Sequence, residues 1–338
     1  MTMTRAAWAI ALMSLLSACG VPGEMAFVRT QDADLPLHVQ GNTAAKKMLL
    51  FVHGGPGGTG VTRLSSAAFK ALAADVGVAL YDQRMAGLSQ GNATAASLTM
   101  AQHVKDLDLV VEVLKQQHPG TAIYLMGHSW GGALGTAYLA DPARQAKIAG
   151  WMPTDAAYDM GTSLRQSREW AIQRAQERLA GGQDPATAQA ALSWYQANPT
   201  ITGATLVKHF GWLPKLGAYI HDDRTADKPD TGQLLFFSPY SATAEPLNLI
   251  QTFQSQPLDE LATLDLSASL GAITLPSLVM SGRHDGAVPV AAAEACFRAL
   301  GTPATAKTLT IFERSAHRPM DDEPQAFVEA VKAFMTRH

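Results

Sequence analysis

Short apolar runs, flanked by glycine, proline or charged residues, recur along much of the chain. An alternating segment broken by turn residues at 26–40 predicts an antiparallel hairpin at the start. The apolar runs that follow lie at 47–53, 77–81, 123–126, 147–152, 275–281 and 307–312. Runs that are apolar at nearly every position are typical of strands covered on both faces of a sheet. The pattern therefore predicts a mostly parallel central sheet.

Helical patterns occupy the segments between these runs. A helix is predicted over about 65–75, and a clearer one begins after Thr99, where Gln102 completes a capping box. Pro289 is predicted at the first position of another helix, and the last helix covers 324–336. The alternation of strand and helix predicts an α/β fold whose active site lies at the carboxyl ends of the strands.

The alternation stops between residues 158 and 264. This stretch is helical in pattern and rich in aromatic residues, namely Trp170, Trp194, Tyr195, Phe210, Trp212, Tyr219, Phe236, Phe237 and Tyr240. We predict that 158–264 forms a helical cap inserted into a sheet domain made of 19–157 and 265–338. Most of the aromatic side chains should build the core of the cap, and a minority should face a pocket.

Composition and charge exclude several classes of protein. The chain has 338 residues, 47% of them hydrophobic and 16% charged, which is enough for a large globular core. Its net charge is −3 and no run of basic residues exceeds the pair Lys46-Lys47, so we expect no nucleic-acid partner. Cysteine and histidine show no zinc-type spacing, so no metal site is predicted.

The amino-terminal 18 residues are predicted to be a targeting segment. Arg5 precedes the short apolar run 9–16, and Leu16-Ser17-Ala18-Cys19 resembles a bacterial lipobox. Cleavage before Cys19 would make the protein an exported, membrane-anchored lipoprotein facing the periplasm, with a lipid on Cys19 as its membrane contact. An ordinary signal peptide or an uncleaved tail would remove the anchor. With Cys19 lipidated, Cys296 is left as a buried small side chain that cannot form an intrachain disulfide.

A G-x-S-x-G motif follows the apolar run 123–126 without a spacer and opens a helix-forming stretch. Gly127 and Gly131 flank Ser129 and allow the strand and the helix to approach closely. We predict that Ser129 is a nucleophile on a sharp turn, with the backbone N–H of Trp130 facing a developing oxyanion.

A serine nucleophile needs a general base and a carboxylate that orients the base. Asp285 follows the next-to-last predicted strand and His317 follows the last, which gives the order Ser, Asp, His found in α/β-hydrolases. We predict Ser129, Asp285 and His317 as the catalytic triad. Asp155 is the rival acid, because it also follows a strand.

Three further polar residues near these motifs are predicted to have structural roles. His53 and His128 are expected to hydrogen-bond to loop backbone and not to act as bases. Asp82 is expected to organise its own loop.

The motifs together resemble the proline iminopeptidase (prolyl aminopeptidase) family of α/β-hydrolases. The resemblance covers most of the sheet domain and is carried by His53-Gly54-Gly55-Pro56-Gly57, by Asp82-Gln83-Arg84 with Gly87 and Ser89, by Gly127-His128-Ser129-Trp130-Gly131-Gly132, and by Gly282-Arg283 with Asp285. It implies an α/β-hydrolase fold and an aminopeptidase that releases an N-terminal residue from small peptides through an acyl-enzyme. It also implies that Gly54 and Trp130 donate the oxyanion hydrogen bonds.

The chain departs from this family in two places. Met85 stands where the family loop has glycine after Asp-Gln-Arg. Aminopeptidases also need cap carboxylates for the substrate's ammonium group, and no spacing selects a pair among Glu169, Glu177, Asp222, Asp223 and Glu245.

Other functions use the same residues or fewer of them. A carboxylesterase, lactonase or amidase acting on a small substrate would share the triad and differ in the cap. A non-catalytic binding protein would be expected to lack a triad member, and none is missing. Epoxide hydrolases and dehalogenases of this fold need an aspartate nucleophile, where this chain has Ser129. The glycine-rich loop fits neither a P-loop nor a dinucleotide fingerprint, so no cofactor is predicted.

Overall fold

The computed structural model describes residues 23–228, 230–238 and 241–338. The predicted signal peptide and Cys19 lie outside this range. No helix within the described residues is long and apolar enough to cross a bilayer.

The strands form one sheet with a mostly parallel centre. They are β1 (Glu24–Arg29), β2 (Ala33–Gly41), β3 (Lys47–Val52), β4 (Gly77–Tyr81), β5 (Gln90–Gly91), β6 (Ala122–His128), β7 (Gly150–Thr154), β8 (Ser277–Gly282) and β9 (Lys307–Phe312). The order across the sheet is β1-β2-β4-β3-β6-β7-β8-β9, with β5 paired to β2. Strands β1 and β2 are antiparallel, and the pairs from β4 to β9 are parallel. The predicted hairpin and parallel sheet are confirmed.

Helices connect the strands and cover the sheet. They are α1 (Ala67–Ala73), α2 (Met100–Gln117), α3 (Trp130–Leu139), α4 (Pro142–Gln145), α12 (Val290–Ala299), α13 (Pro319–Asp322) and α14 (Pro324–Arg337). The central strands β3, β4 and β6 are buried along nearly their whole length. Two apolar clusters of buried residues include side chains from these strands, as expected for a sheet covered on both faces.

A helical insertion separates β7 from β8. It contains α5 (Met160–Ala180), α6 (Pro185–Ala197), α7 (Gly203–Leu216), α8 (Thr231–Phe237), α9 (Ala244–Ser255), α10 (Leu258–Ala262) and α11 (Ser267–Leu270). Its two ends meet, because Met160 N donates to Leu264 O (2.8 Å) and Leu266 N to Tyr158 O (2.8 Å). The chain thus leaves the sheet and returns to it at one place.

One of the two hydrogen bonds of the capping box predicted for α2 is present, and the other is not. The Thr99 hydroxyl accepts a hydrogen bond from the backbone N–H of Gln102 (3.2 Å), as expected. The Gln102 side chain, however, does not return to Thr99, because its amide donates to Asp106 Oδ1 one turn later (3.0 Å). The Gln102 side chain therefore binds the Asp106 carboxylate and does not form the second hydrogen bond of the capping box.

Two element boundaries also differ from the predictions. The strand predicted at 147–152 begins at Gly150, because the N–H groups of Lys147 and Ile148 complete the turns that end α4. Pro289 caps α12 instead of occupying its first position. The buried state predicted for Cys296 is confirmed, with 1% of the residue exposed.

Candidate active site

Ser129 lies between the end of β6 and the start of α3, in a backbone conformation that side chains rarely adopt (φ 56°, ψ −121°). The neighbouring glycines make the turn possible. A Cβ on Gly127 would lie 2.4 Å from the Gly131 carbonyl oxygen, and one on Gly131 would lie 2.1 Å from that of Val52. The sharp strand-to-helix turn predicted for Ser129 is therefore present.

Asp285 and His317 are brought together by the ends of β8 and β9. His317 Nδ1 donates to Asp285 Oδ2 at 2.7 Å, and both side chains are buried. The other oxygen, Asp285 Oδ1, accepts the backbone N–H groups of Ala287 (2.7 Å) and Val288 (2.9 Å). These bonds orient the carboxylate and hold the imidazole by one nitrogen, which leaves Nε2 for proton transfer.

Ser129 and His317 line the same cavity. The Ser129 hydroxyl has no hydrogen bond within 3.5 Å to any residue that the structure describes. Contacts between a nucleophile and its base are often loose without substrate and tighten when it binds. Ser129 and His317 thus share one site, and the lack of a direct hydrogen bond between them is compatible with a serine–histidine pair.

Asp155, the rival acid, is turned elsewhere. Its Oδ1 accepts the hydroxyl of Ser281 (2.9 Å) and the N–H of Gly282 (3.0 Å). Its Oδ2 is buried without a hydrogen-bond partner within 3.5 Å among the described residues. The acid that contacts His317 Nδ1 is Asp285.

Burial raises the pKa of both carboxyl groups. For Asp285 the backbone N–H groups of Val288 and Ala287 oppose this rise in pKa. For Asp155 the pKa is well above its ordinary value, and the nearby Asp285 carboxylate raises it further. The pKa of Asp285 is raised to about 8, and the two groups affect each other in opposite directions, because Asp285 raises the pKa of Asp155 whereas Asp155 lowers that of Asp285. We infer that Asp155 keeps its proton to a higher pH than Asp285 does. Burial lowers the pKa of His317 to about 4, so the imidazole is neutral and able to accept a proton.

Gly54 and Trp130 provide two backbone N–H groups beside Ser129. Trp130 is the first residue of α3, where N–H groups have no partner within the helix. Neither N–H group is hydrogen-bonded to another part of the described chain. Both are therefore available to an oxyanion.

His53 and Gln83 fix the glycine-rich loop. His53 Nδ1 lies 2.9 Å from Gly54 O, and its Nε2 accepts the N–H of Gln83 (3.0 Å). The Gln83 amide donates to His53 O (2.8 Å) and accepts the indole N–H of Trp130 (3.1 Å). His128 in turn bonds through Nε2 to His317 O (2.8 Å). The backbone-binding roles predicted for both histidines are confirmed.

Asp82 and Arg84 stabilise the neighbouring loop. Asp82 accepts the N–H groups of Gly60 (2.6 Å) and Leu88 (2.9 Å), as expected of a loop organiser. Arg84 is buried and forms a two-bond ion pair with Asp106 (2.6 and 2.8 Å). Next to it, Met85 has φ 56°, the left-handed conformation in which glycine costs less. Met85 is not among the residues lining the cavity.

The cavity has a volume of about 900 Å³ and is bounded by the sheet domain and the insertion. Its charged lining residues include three acids and three bases, namely Asp223, Asp227, Asp321, Arg63, Lys228 and Arg318. Four of these residues form two ion pairs, Arg63 with Asp321 (2.5 Å) and Lys228 with Asp223 (3.2 Å). Asp227 Oδ2 accepts the N–H of Ala67 (2.7 Å).

Among the predicted cap carboxylates, Asp223 lines the cavity. Glu169 and Glu177 instead form ion pairs with arginines of their own helix, and Asp222 pairs with Arg224. The Glu245 side chain lies outside the described part of the chain. Sequence reasoning missed Asp227, since nothing in its local pattern indicates that the chain returns it to the pocket.

A second serine and histidine pair lies inside the insertion. His209 Nδ1 accepts the Tyr195 hydroxyl (2.9 Å), and His209 Nε2 lies 3.1 Å from Ser167 Oγ. Ser167 donates its own proton to Gly286 O (2.5 Å). All three side chains are buried and none lines the cavity. The chain of bonds uses the hydroxyl proton of Ser167 and joins the insertion to the loop after Asp285.

His128, Asp155 and His317 could each offer a ligand atom within 4.8 Å of the others. One ring nitrogen of each histidine is already hydrogen-bonded, His128 Nε2 to a carbonyl oxygen and His317 Nδ1 to Asp285. We assign no metal to them.

Comparisons with known proteins agree with this geometry. The family model of the alpha/beta hydrolase fold matches residues 47–324. The probable aminopeptidase YbaC of Bacillus subtilis is 25% identical over 89% of this chain and 93% of its own. The proline iminopeptidase of Heyndrickxia coagulans is 25% identical over 85% of this chain and 90% of its own. Among solved structures, VinJ superposes with a TM-score of 0.64 and 21% identity, over 94% of this chain and 99% of VinJ.

Proposed function

We propose that this chain, which belongs to the alpha/beta hydrolase fold family, is a serine hydrolase with Ser129 as nucleophile, His317 as base and Asp285 as acid. The observation that carries the proposal is the 2.7 Å bond between His317 Nδ1 and Asp285 Oδ2 in the cavity lined by Ser129. Each of these residues follows a parallel strand of the same sheet.

In the proposed reaction, Ser129 Oγ attacks the substrate's acyl carbon while His317 Nε2 takes the hydroxyl proton. The backbone N–H groups of Gly54 and Trp130 stabilise the oxyanion that forms. His317 then protonates the leaving group, and water attacks the acyl-enzyme with His317 as base again. Asp285 holds the imidazole tautomer and stabilises the imidazolium through both steps.

We propose that the substrate is a small peptide and that the enzyme is an aminopeptidase similar to proline iminopeptidases. Relatives with that name align over most of this chain. Asp227 is the candidate partner of the substrate's ammonium group, because it lines the cavity and forms no ion pair with a described cation. The alternative is a carboxylesterase, lactonase or amidase with the same triad. It is favoured by the pairing of Asp223 and Asp321 with cations of the protein.

Labelling with a fluorophosphonate tests the nucleophile. Ser129→Ala should abolish both labelling and turnover while the protein stays folded, as judged by circular dichroism. Ser167→Ala is the matched control, because Ser167 lies 3.1 Å from His209 Nε2 and does not line the cavity. Labelling that survives in Ser129→Ala and disappears in Ser167→Ala would refute the assignment.

A pair of substrates tests the specificity. Proline 4-nitroanilide and its N-acetyl derivative differ only in the ammonium group. An aminopeptidase should hydrolyse the free form at least about a hundredfold faster, because acetylation leaves a pocket carboxylate unpaired. Asp227→Asn should reduce this ratio. An esterase pocket predicts the opposite order, with acyl esters as the best substrates.

We further propose that the protein is exported as a lipoprotein anchored to the membrane through Cys19 and facing the periplasm. The lipobox-like Leu16-Ser17-Ala18-Cys19 supports this proposal. Cys19→Ser should release the protein from the membrane fraction or block its processing. Unchanged retention after a carbonate wash would count against the anchor.

A further inference from the structure

Arg318 follows His317 directly and lines the same cavity as Ser129. Its guanidinium carbon lies 5.7 Å from the centre of the Tyr219 ring. That ring lies 5.4 Å from the His317 ring. The arginine is therefore held beside the catalytic base by an aromatic surface.

The acids near Arg318 have other partners. Asp321 forms its ion pair with Arg63. Asp322 accepts the backbone N–H groups of Ala316 (2.8 Å) and His221 (3.1 Å). In the described part of the chain no carboxylate forms an ion pair with Arg318. Arg63 and Lys228, the other arginine and lysine that line the cavity, each form an ion pair with a carboxylate.

Arg318 is exposed at the cavity, and part of its environment is desolvated. The residue is exposed to solvent, yet desolvation is the largest cause lowering its pKa, and the Arg63 charge adds to it. Its five N–H donors form a planar fork that matches a carboxylate by two parallel hydrogen bonds. Asp321 and Asp322 are near enough to raise its pKa. Neither forms an ion pair with it, so an anion that entered the cavity would meet N–H donors that no described carboxylate binds directly.

We propose that Arg318 is a specificity-determining residue that binds a carboxylate of the substrate, so that the enzyme prefers acids to their neutral counterparts. The proposal rests on the hydrolase function proposed above and adds the substrate class. The carboxylate could belong to the acyl part, as in the half-ester of a dicarboxylic acid. It could also belong to the leaving group, as in a dipeptide with a free carboxyl terminus.

Two substrate pairs distinguish these sources. The first pair is 4-nitrophenyl hydrogen adipate and methyl 4-nitrophenyl adipate, which differ in the charge of the acyl part. The second is prolylglycine and its amide, which differ in the charge of the leaving group. kcat/KM is measured for each substrate after subtraction of spontaneous hydrolysis. The variants are Arg318→Gln, Arg318→Lys and Arg298→Gln, the last being an exposed arginine outside the cavity lining.

The wild-type protein should prefer the acid in at least one pair by roughly tenfold or more. Arg318→Gln should reduce kcat/KM for that acid by about 10- to 100-fold, the usual effect of losing a hydrogen bond to a charged group. It should reduce kcat/KM less for the neutral substrate than for the acid, because the neutral substrate offers the guanidinium no carboxylate. Arg318→Lys should recover part of the preference, and Arg298→Gln should leave it unchanged.

Fluorophosphonate labelling of Ser129, run in parallel, separates the two proposals. Labelled Ser129 with no preference for the acid in either pair overturns the carboxylate site and leaves the hydrolase function standing. A preference that persists in Arg318→Gln also overturns it. Absence of both labelling and turnover overturns the hydrolase function, and the specificity proposal falls with it.

Discussion

Gly54 lies so close to Ser129 that a Cβ added to Gly54 would stand 2.9 Å from the Ser129 Cβ. The same atom would lie 3.1 Å from the carbonyl oxygen of His128. Any side chain at this position would have to displace the nucleophile or the loop. The close approach places the Gly54 backbone beside the serine, as the proposed oxyanion role requires.

Gly54→Ala should therefore impair catalysis without unfolding the protein. Alanine keeps the backbone N–H, but its Cβ would displace the loop and move that N–H away from Ser129. Losing one oxyanion donor typically lowers kcat by about 10²- to 10³-fold, which is the upper limit expected here. The measurement is kcat/KM alongside the melting temperature. Gly211→Ala is the control, because a Cβ there meets no atom within 4 Å and should leave the rate unchanged. A fully active Gly54→Ala variant would show that the close approach of Gly54 to Ser129 is not needed for catalysis.

The two buried acids should differ in their effect on rate. Asp285→Asn removes the acceptor that orients His317 and should lower kcat by about four orders of magnitude, as in other triads. Asp155→Asn keeps an oxygen that can accept from Ser281 and Gly282, so its activity should stay within about tenfold of the wild type. Steady-state kinetics on folded variants decide the matter. Reversed effects would assign the catalytic role to Asp155.

Asp155 should also make stability depend on pH. Its pKa is raised in the folded protein, so above the ordinary pKa of an aspartate the native state binds more protons than the unfolded chain. The stabilisation of the folded state by Asp155 is fully present below the ordinary pKa of an aspartate, and it is lost as the pH rises above that value. The stability of Asp155→Asn relative to the wild type should thus increase between pH 5 and 8, by at most about 1.4 kcal/mol per pH unit. Urea unfolding at several pH values measures this difference, and a constant difference would contradict the assigned proton.

The buried ion pair of Arg84 should matter for stability. Asp106→Asn would leave Arg84 with Asp32 as its remaining carboxylate partner, at 3.0 Å. Breaking a buried pair on one side typically costs about 3–5 kcal/mol. Glu313→Gln is the control, because its pair with Arg283 is exposed and worth about 1 kcal/mol at most. Equal unfolding midpoints for the two variants would contradict the importance of this pair.

Local pattern was sufficient to predict the sheet and the sharp turn that carries Ser129. Apolar runs of strand length and helical periodicity predicted the parallel sheet, because each is a property of neighbouring residues. The elbow at Ser129 was predictable for the same reason, since the strand, the glycines and the helix are contiguous. Boundaries such as the start of β7 were missed, because the turns after α4 compete for the same backbone groups.

The choice between Asp155 and Asp285 required the tertiary structure. Both follow neighbouring parallel strands, so their local patterns are alike. What separates them is the direction of each carboxyl group, one toward Gly282 and the other toward His317.

The charges around the pocket also depended on the folded chain. Asp227 enters the cavity from the insertion. Arg318 has no carboxylate partner among the described residues, and Asp321 beside it binds Arg63. Asp321 and Arg63 are 258 residues apart in the sequence. Periodicity reports which residues a segment buries, whereas the partner of a charge is set by where distant segments meet.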